Sequence, residues 1–517
     1  MTSDTSPATA SPSPEPAAAA ADPAAAPTPP VAPTGAGAKS QPTDDLVTTS
    51  HTVDTPAGTL RYTATTGRVV LRDEVYEDGV FTGNTAKAEM SVTAYVLDGA
   101  DPTTRPVTFA FNGGPGSSSV WLHLGVMGPR RVLMGDAGAL LAPPYAIAEN
   151  PQTLLVESDL VFIDPVSTGY SRAVEGGKPG EYHGYAKDLD SVGELIRLWT
   201  TRNGRWMSPK FLAGESYGTL RAAALADHLQ ERYGMYLNGV MLISSVLDLG
   251  SIGLHEADDR ACVAFLPTYA AVAHYHGLHP GRSLAEVLAD AEEYAEREYP
   301  WVLARGMRLT EEEVGAAASR IAGLTGLSVD YVRRSNLRIE HLRFFTELLR
   351  SRGLSVGRLD SRFTGPAGSG TAEMYDADPS HDAIAGPYAA AFNHYVRADL
   401  GYANDLHYEQ VSERVNPWSF KEFEGRDVNV APRLARAMRR NPHLLVHVAY
   451  GYLDGATPYF AAQGVLAHLT IPAELTDNIE HAYYEAGHMM YVHEPSRLQQ
   501  SADLAAFVRR AATQAPR

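Results

Sequence analysis

With a single cysteine in 517 residues, Cys262, the chain can close no internal disulfide and build no cysteine-rich zinc site. Cys262 lies among apolar neighbours in "DDRACVAFLP" and reads as a buried structural thiol. Basic tracts are also missing. The net charge is -18, and no Lys/Arg cluster is available to neutralise phosphates, so nucleic acid is not an expected partner. The acidity reads as a solubility property. No apolar run approaches the roughly 20 residues that cross a bilayer, so no membrane partner is expected either. The opening stretch, "MTSDTSPATASPSPEPAAAAADPAAAPTPPVAPTGAGAKS", has no Lys or Arg before Lys39, and prolines and Asp22 interrupt its alanines. A secretory signal needs a basic start and an unbroken apolar segment. Residues 1–45 therefore read as a disordered Pro/Ala-rich tail, and a cytoplasmic location is expected.

What is present is enough for a large core, since 44% of the residues are hydrophobic. From about residue 46 the pattern changes. "TLRYTATTG" and "EMSVTAYVL" alternate apolar and polar positions like half-buried strands, with Glu77-Asp78-Gly79 as a turn between them. Runs of another kind follow: "VTFAF", "LVFID", "KFLAG", "VMLIS" and, much later, "LLVHVAY". These resemble strands covered on both faces, as in a parallel sheet. Helical patterns such as Tyr185–Trp199 and Leu220–Tyr233 lie between several of them. Alternating strands and helices predict an α/β fold. The alternation stops between about 251 and 420, where the chain is charged and mostly helical. "LRIEHLRFFTELLRSRG" there reads as one amphipathic helix stopped by Gly353, and Thr310 in "LTEEEVG" as a helix cap. The expected organisation is a core in two parts, 46–250 and 421–517, with a helical cap insertion at 251–420.

One corner carries chemistry. Gly214-Glu215-Ser216-Tyr217-Gly218 follows the strand-like "KFLA" and precedes the alanine-rich "TLRAAALADHL". A serine at such a corner can be held in a strained backbone conformation that exposes its hydroxyl. The strand and helix then pass so close that only small residues fit two positions before and two after it. A serine hydroxyl needs a base, usually a histidine oriented by a carboxylate, and in α/β-hydrolases these follow in the order Ser, acid, His. Asp454 in "GYLDGATP" follows the last recognisable strand, and His488 in "HAYYEAGHMMYVHEPSRL" precedes a terminal helix. Glu485 is a rival acid, and His481 and His493 are rival bases. A third element, "FNGGPGSSS", begins at the end of "VTFAF", and its paired glycines could turn N–H groups toward a developing oxyanion.

Together these segments resemble the serine carboxypeptidase family. Asn112–Gly116 with Ser118-Ser119 looks like that family's oxyanion segment, Gly214–Gly218 its nucleophile segment, and "DPVSTGYS" its intervening loop. Asp454 and His488 match its acid and base segments in order and approximate spacing. The resemblance spans about 55 to 510. It implies an α/β-hydrolase fold with a mainly parallel central sheet, no cofactor, no metal and a peptide substrate. It also implies roles: Ser216 as nucleophile, His488 as base, Asp454 as its orienting acid, and the N–H groups of Gly114 and Tyr217 as the oxyanion hole. Asn112, Gly113 and Glu215 would bind the substrate's terminal carboxylate. A glutamate could do so if burial kept it protonated.

Two departures stand out. Many members carry a second glutamate where this chain has Val126, and a cysteine where it has Ser117. Val126 keeps a serine esterase or acyltransferase open as an alternative, and a non-catalytic binder on the same scaffold as a further one. The three histidines of "AHYHGLH" have no carboxylate at metal-binding spacing and are given no metal.

Overall fold

The long alternating strands of the first third build one flank of the fold. In the computed structural model, which describes residues 41–253, 258–371 and 375–513, β1 (Asp45–Thr55), β2 (Gly58–Glu77) and β3 (Val80–Leu97) form antiparallel hairpins. The turn joining β2 to β3 puts Asp78 and Gly79 at positive φ, 51° and 79°. Such a two-residue turn matches the twist of the strands it joins. The expected tail 1–45 lies almost wholly outside the described residues. Its boundary moves, because Asp45 already belongs to β1 and Asp44 accepts the Val70 N–H at 2.9 Å.

The fully apolar runs become β4 (Val107–Phe111), β5 (Asp159–Ile163), β6 (Lys210–Glu215), β7 (Gly239–Ile243) and β8 (Leu445–Gly451). A further strand, β9 (Ile479–Tyr484), follows them. The sheet order is β1-β2-β3-β5-β4-β6-β7-β8-β9, with every pair from β5 onward parallel. Alternate residues feed two cores. Phe109, Leu212, Leu242 and Val446 face one side, while Ala110, Phe211, Met241 and Leu445 face the other. Helices cover both faces, which is why these strands lack the polar alternation of β2 and β3. The architecture is the α/β-hydrolase fold.

Sequence periodicity missed β9, having taken "LLVHVAY" as the last strand. As the edge strand it is only partly buried, so its sequence, "IEHAYY", is more polar than its neighbours'. Between β7 and β8 lie the helices Arg260–Tyr275, Leu284–Arg297, Glu311–Thr325 and Pro379–Ala398, with a small hairpin of Leu354–Val356 and Thr364–Pro366. Thr310 caps its helix as expected, in a reciprocal box with Glu313. The helix expected over "LRIEHLRFFTELLRSRG" is shorter, His341–Glu347. Leu337 sits at φ 64°, which no helix tolerates, and the Glu340 carboxylate caps the N–H groups of Leu342 and Arg343. Residues 42–517, insertion included, cluster as one unit. Cys262 is buried on Arg260–Tyr275, and burial pushes its thiol up to about 11.

Candidate active site

The corner after β6 is a nucleophile elbow by its geometry. Ser216 adopts φ 60° and ψ -130°, and the helix Tyr217–Tyr233 starts at the next residue. A Cβ on Gly214 would overlap the Gly218 carbonyl, and one on Gly218 would lie 2.8 Å from the Phe111 carbonyl oxygen. The two glycines are therefore steric necessities of the bend. The Ser216 N–H donates to the Ile243 carbonyl at 3.0 Å, so the neighbouring strand β7 holds the strained residue.

The oxyanion segment packs directly on this elbow. A Cβ on Gly113 would fall on the Tyr217 amide nitrogen. Neither the Gly114 nor the Tyr217 amide has an acceptor among the described residues, and both residues line the cavity that contains Ser216. The segment is anchored on two sides. Ser119 donates to Asp164 of "DPVSTGYS" through its N–H and its hydroxyl, each at 2.8 Å. On the other side the Ser118 N–H donates to the Gln410 carbonyl at 2.9 Å, and the Ser412 N–H donates to the Gly116 carbonyl at 2.8 Å. Ser117 accepts from the Trp121 indole N–H at 2.8 Å.

Asp454 and His488 meet across the ends of β8 and β9. His488 Nδ1 lies 2.8 Å from Asp454 Oδ2. Asp454 is fully buried and accepts three further hydrogen bonds, from the Ala456 and Thr457 amides at 2.8 and 2.9 Å and the Thr457 hydroxyl at 2.7 Å. Burial opposes charge on His488, but the Asp454 carboxylate and its hydrogen bond outweigh it, and the imidazole is held above its ordinary value. Ser216 and His488 line one cavity of about 370 Å³. No hydrogen bond joins them here. Such contacts are often long before substrate binds. The rival residues are engaged or turned away: His481 contacts the Tyr450 hydroxyl at 2.9 Å, His493 contacts the Ser496 hydroxyl at 2.8 Å, and Glu485 is exposed.

Glu215 is buried beside the nucleophile. Asn112 Nδ2 donates to its Oε1 at 2.8 Å and the Tyr491 hydroxyl donates to its Oε2 at 2.7 Å. Burial pushes its carboxyl up to about 7, against the lowering effects of His488, Tyr491 and Asn112. Tyr491 was not anticipated from the sequence, although it stands three residues after His488. Its ring lies over Gly125, where any Cβ would overlap it, next to the Val126 position. The sequence also gave no sign of the buried Arg221–Asp188 pair, 2.8 Å apart. Arg221 donates to the Asn112 carbonyl at 2.7 Å and lies 5.3 Å from the centroids of both the Phe111 and Tyr217 rings. It ties the oxyanion segment to the elbow helix.

Two of the three histidines of "AHYHGLH" bond backbone carbonyls. His276 and His279 bond the carbonyls of Ser361 and Gly323, at 2.8 and 3.0 Å.

Comparison with known proteins places this arrangement. The family profile of the serine carboxypeptidases matches residues 94–504. The chain belongs to the serine carboxypeptidase family. A curated relative, carboxypeptidase Y homolog A of Talaromyces stipitatus, is 29% identical over 152 residues, which cover 29% of this chain and 25% of the relative. Solved structures with similarity include a proline iminopeptidase of Mycobacterium smegmatis, at 14% identity and a TM-score of 0.35, covering 86% of this chain and 98% of that one. Another is a putative aryl esterase of Burkholderia cenocepacia, at 14% identity and a TM-score of 0.33, covering 90% and 100%. No helix among the described residues is long and apolar enough to cross a membrane.

Proposed function

We propose that this member of the family is a serine carboxypeptidase that releases C-terminal residues from peptides through an acyl-enzyme. The observation that carries the reading is Glu215: a buried carboxyl, held by Asn112 and Tyr491 and pushed up to about 7, immediately before the serine of the elbow. When protonated, it donates a hydrogen bond to a substrate carboxylate instead of repelling it. Asn112 and the Gly113 backbone complete that site. Ser216 Oγ attacks the scissile carbonyl while His488 Nε2 takes its proton. Asp454 holds the imidazole in the required tautomer, and the N–H groups of Gly114 and Tyr217 receive the oxyanion. The C–N bond breaks as His488 returns the proton to the leaving amine, and water then releases the acyl group by the same steps. The reaction needs no cofactor or metal. The helical insertion 251–420 is the cap that shapes the cleft. A cytoplasmic site of action is part of the reading; cell fractionation tests it.

Val126 favours a second reading, an esterase or acyltransferase that uses the same triad without terminal-carboxylate recognition. A peptide and its C-terminally amidated twin separate the two. The first reading expects trimming of the free acid alone. Cleavage of ester probes with no trimming of either peptide supports the second. Ser216→Ala should remove fluorophosphonate labelling and lower kcat on the order of 10^6-fold. Normal trimming by that variant would refute both readings.

A further inference from the structure

The cavity holding Ser216 and His488 presents a cation. Arg358 and His381 line it, and among the described residues that line it the one carboxylate is Glu215, already held by Asn112 and Tyr491. Among the described residues, the arginines whose guanidinium neither pairs with a carboxylate nor hydrogen-bonds are Arg61, Arg343, Arg352 and Arg358. The first three are exposed and Arg358 is half-buried. Arg358 therefore offers the cavity an unpaired guanidinium, in a chain of net charge -18.

The backbone of Arg358 is rigidly placed. Its N–H donates to the Tyr375 hydroxyl at 3.1 Å and to Asp378 Oδ1 at 3.2 Å. The Leu359 N–H donates to Asp378 Oδ2 at 3.0 Å. Asp378 thus spends its carboxylate on these backbone donors and on the Ser380 amide and hydroxyl, and leaves the guanidinium free. The Arg358 carbonyl accepts from the Gly455 N–H at 2.9 Å, and the Leu359 carbonyl from the His488 N–H at 2.6 Å. The residue is therefore fixed to the acid and base loops, and its charge opposes protonation of His488.

We infer that Arg358, which shares the cavity with His381, receives an acidic side chain of the substrate, so that the preferred peptides carry Asp or Glu next to the scissile bond. A planar guanidinium fork matches a carboxylate in two parallel hydrogen bonds. The inference rests on the proposed function only for where the peptide lies. It is distinct from the terminal-carboxylate site, which Asn112, Gly113 and Glu215 already supply.

Calorimetric binding to the Ser216→Ala protein tests this without turnover. The probes are N-acetylated tripeptides with Glu or Gln at the last or the penultimate position, each as free acid and as amide. At one of the two positions Glu should bind about tenfold or more tightly than Gln. Adding Arg358→Gln should bring that ratio close to one, and Arg358→Lys should keep part of it, with unfolding temperatures confirming that both variants fold. Equal binding of Glu and Gln peptides at both positions, a ratio that survives Arg358→Gln, or no binding of any probe overturns the inference. So does loss of the acid-over-amide preference in place of the Glu-over-Gln ratio, which would put the terminal carboxylate at Arg358. If amidation has no effect in any variant, the carboxypeptidase reading fails, while the Glu/Gln ratio still reports on Arg358.

Discussion

The two halves of the candidate active site are held in different ways. The half borne by the sheet comprises Ser216 after β6, the oxyanion segment after β4, and Asp454 and His488 beyond β8 and β9. Backbone exclusion positions it, through glycines that let two segments touch and a serine held at positive φ. The half borne by the insertion, residues 357–361 and 410–412, contributes carbonyls and amides that brace those same loops. The difference teaches that the chemistry is specified locally while its precision is supplied from far along the chain. Substitutions in the first half should abolish the reaction, and substitutions at the seam should loosen it.

After removal of the nucleophile itself, the greatest loss is expected from Asp454→Asn, in the sheet-borne half. The carboxylate holds the His488 Nδ1 proton, and an amide would favour the wrong tautomer. A loss of about 10^4 in kcat follows, with KM little changed. Steady-state kinetics on a peptide substrate measures it. A loss below tenfold would mean that another acid serves His488, and the division between the halves would break down.

Gly487→Ala probes the seam. A Cβ on Gly487 would overlap Asp360 and crowd the Leu359 carbonyl, the acceptor of the His488 N–H. Moving that acceptor displaces the base without touching any reacting atom. A displacement of about 1 Å costs on the order of 100-fold in kcat. The rate of fluorophosphonate labelling should fall in parallel. An unchanged rate would show that the insertion does not set the position of His488.

The same division governs what the sequence revealed. The elbow was legible because its steric demands fall within five residues, and the parallel strands because burial on both faces leaves continuous apolar runs. Asp454 and His488 were legible by order and by the loops that carry them. Tyr491, Arg221 and Arg358 were not, since a tyrosine or arginine in a helix or loop has no local pattern that marks its partner. Tyr491 reaches Glu215 across 276 positions of chain. Thr457, three residues after Asp454, had a usable signal: a hydroxyl in a turn that can satisfy the carboxylate beside it. Edge strand β9 was hidden by its polarity.

The smallest expected effect sharpens the comparison most, because it separates substrate binding from chemistry. On the proposed reading, protonated Glu215 binds the terminal carboxylate and ionised Glu215 repels it. KM for free-acid peptides should therefore rise as pH increases through about 7, while KM for amidated or ester substrates should not. Tyr491 donates to Glu215 and so favours its ionised form, lowering its pKa. Tyr491→Phe removes that donor, Glu215 titrates higher, and the rise in KM should begin at higher pH. The lost hydrogen bond should cost about 1 kcal/mol of stability. The dependence of kcat on His488 deprotonation should move less than the KM limb, because Asp454, which raises the imidazole more than Glu215 does, is untouched. KM and kcat profiles of both proteins, taken on either side of neutrality, decide it. A KM limb that stays put or moves to lower pH would mean that Tyr491 does not tune Glu215.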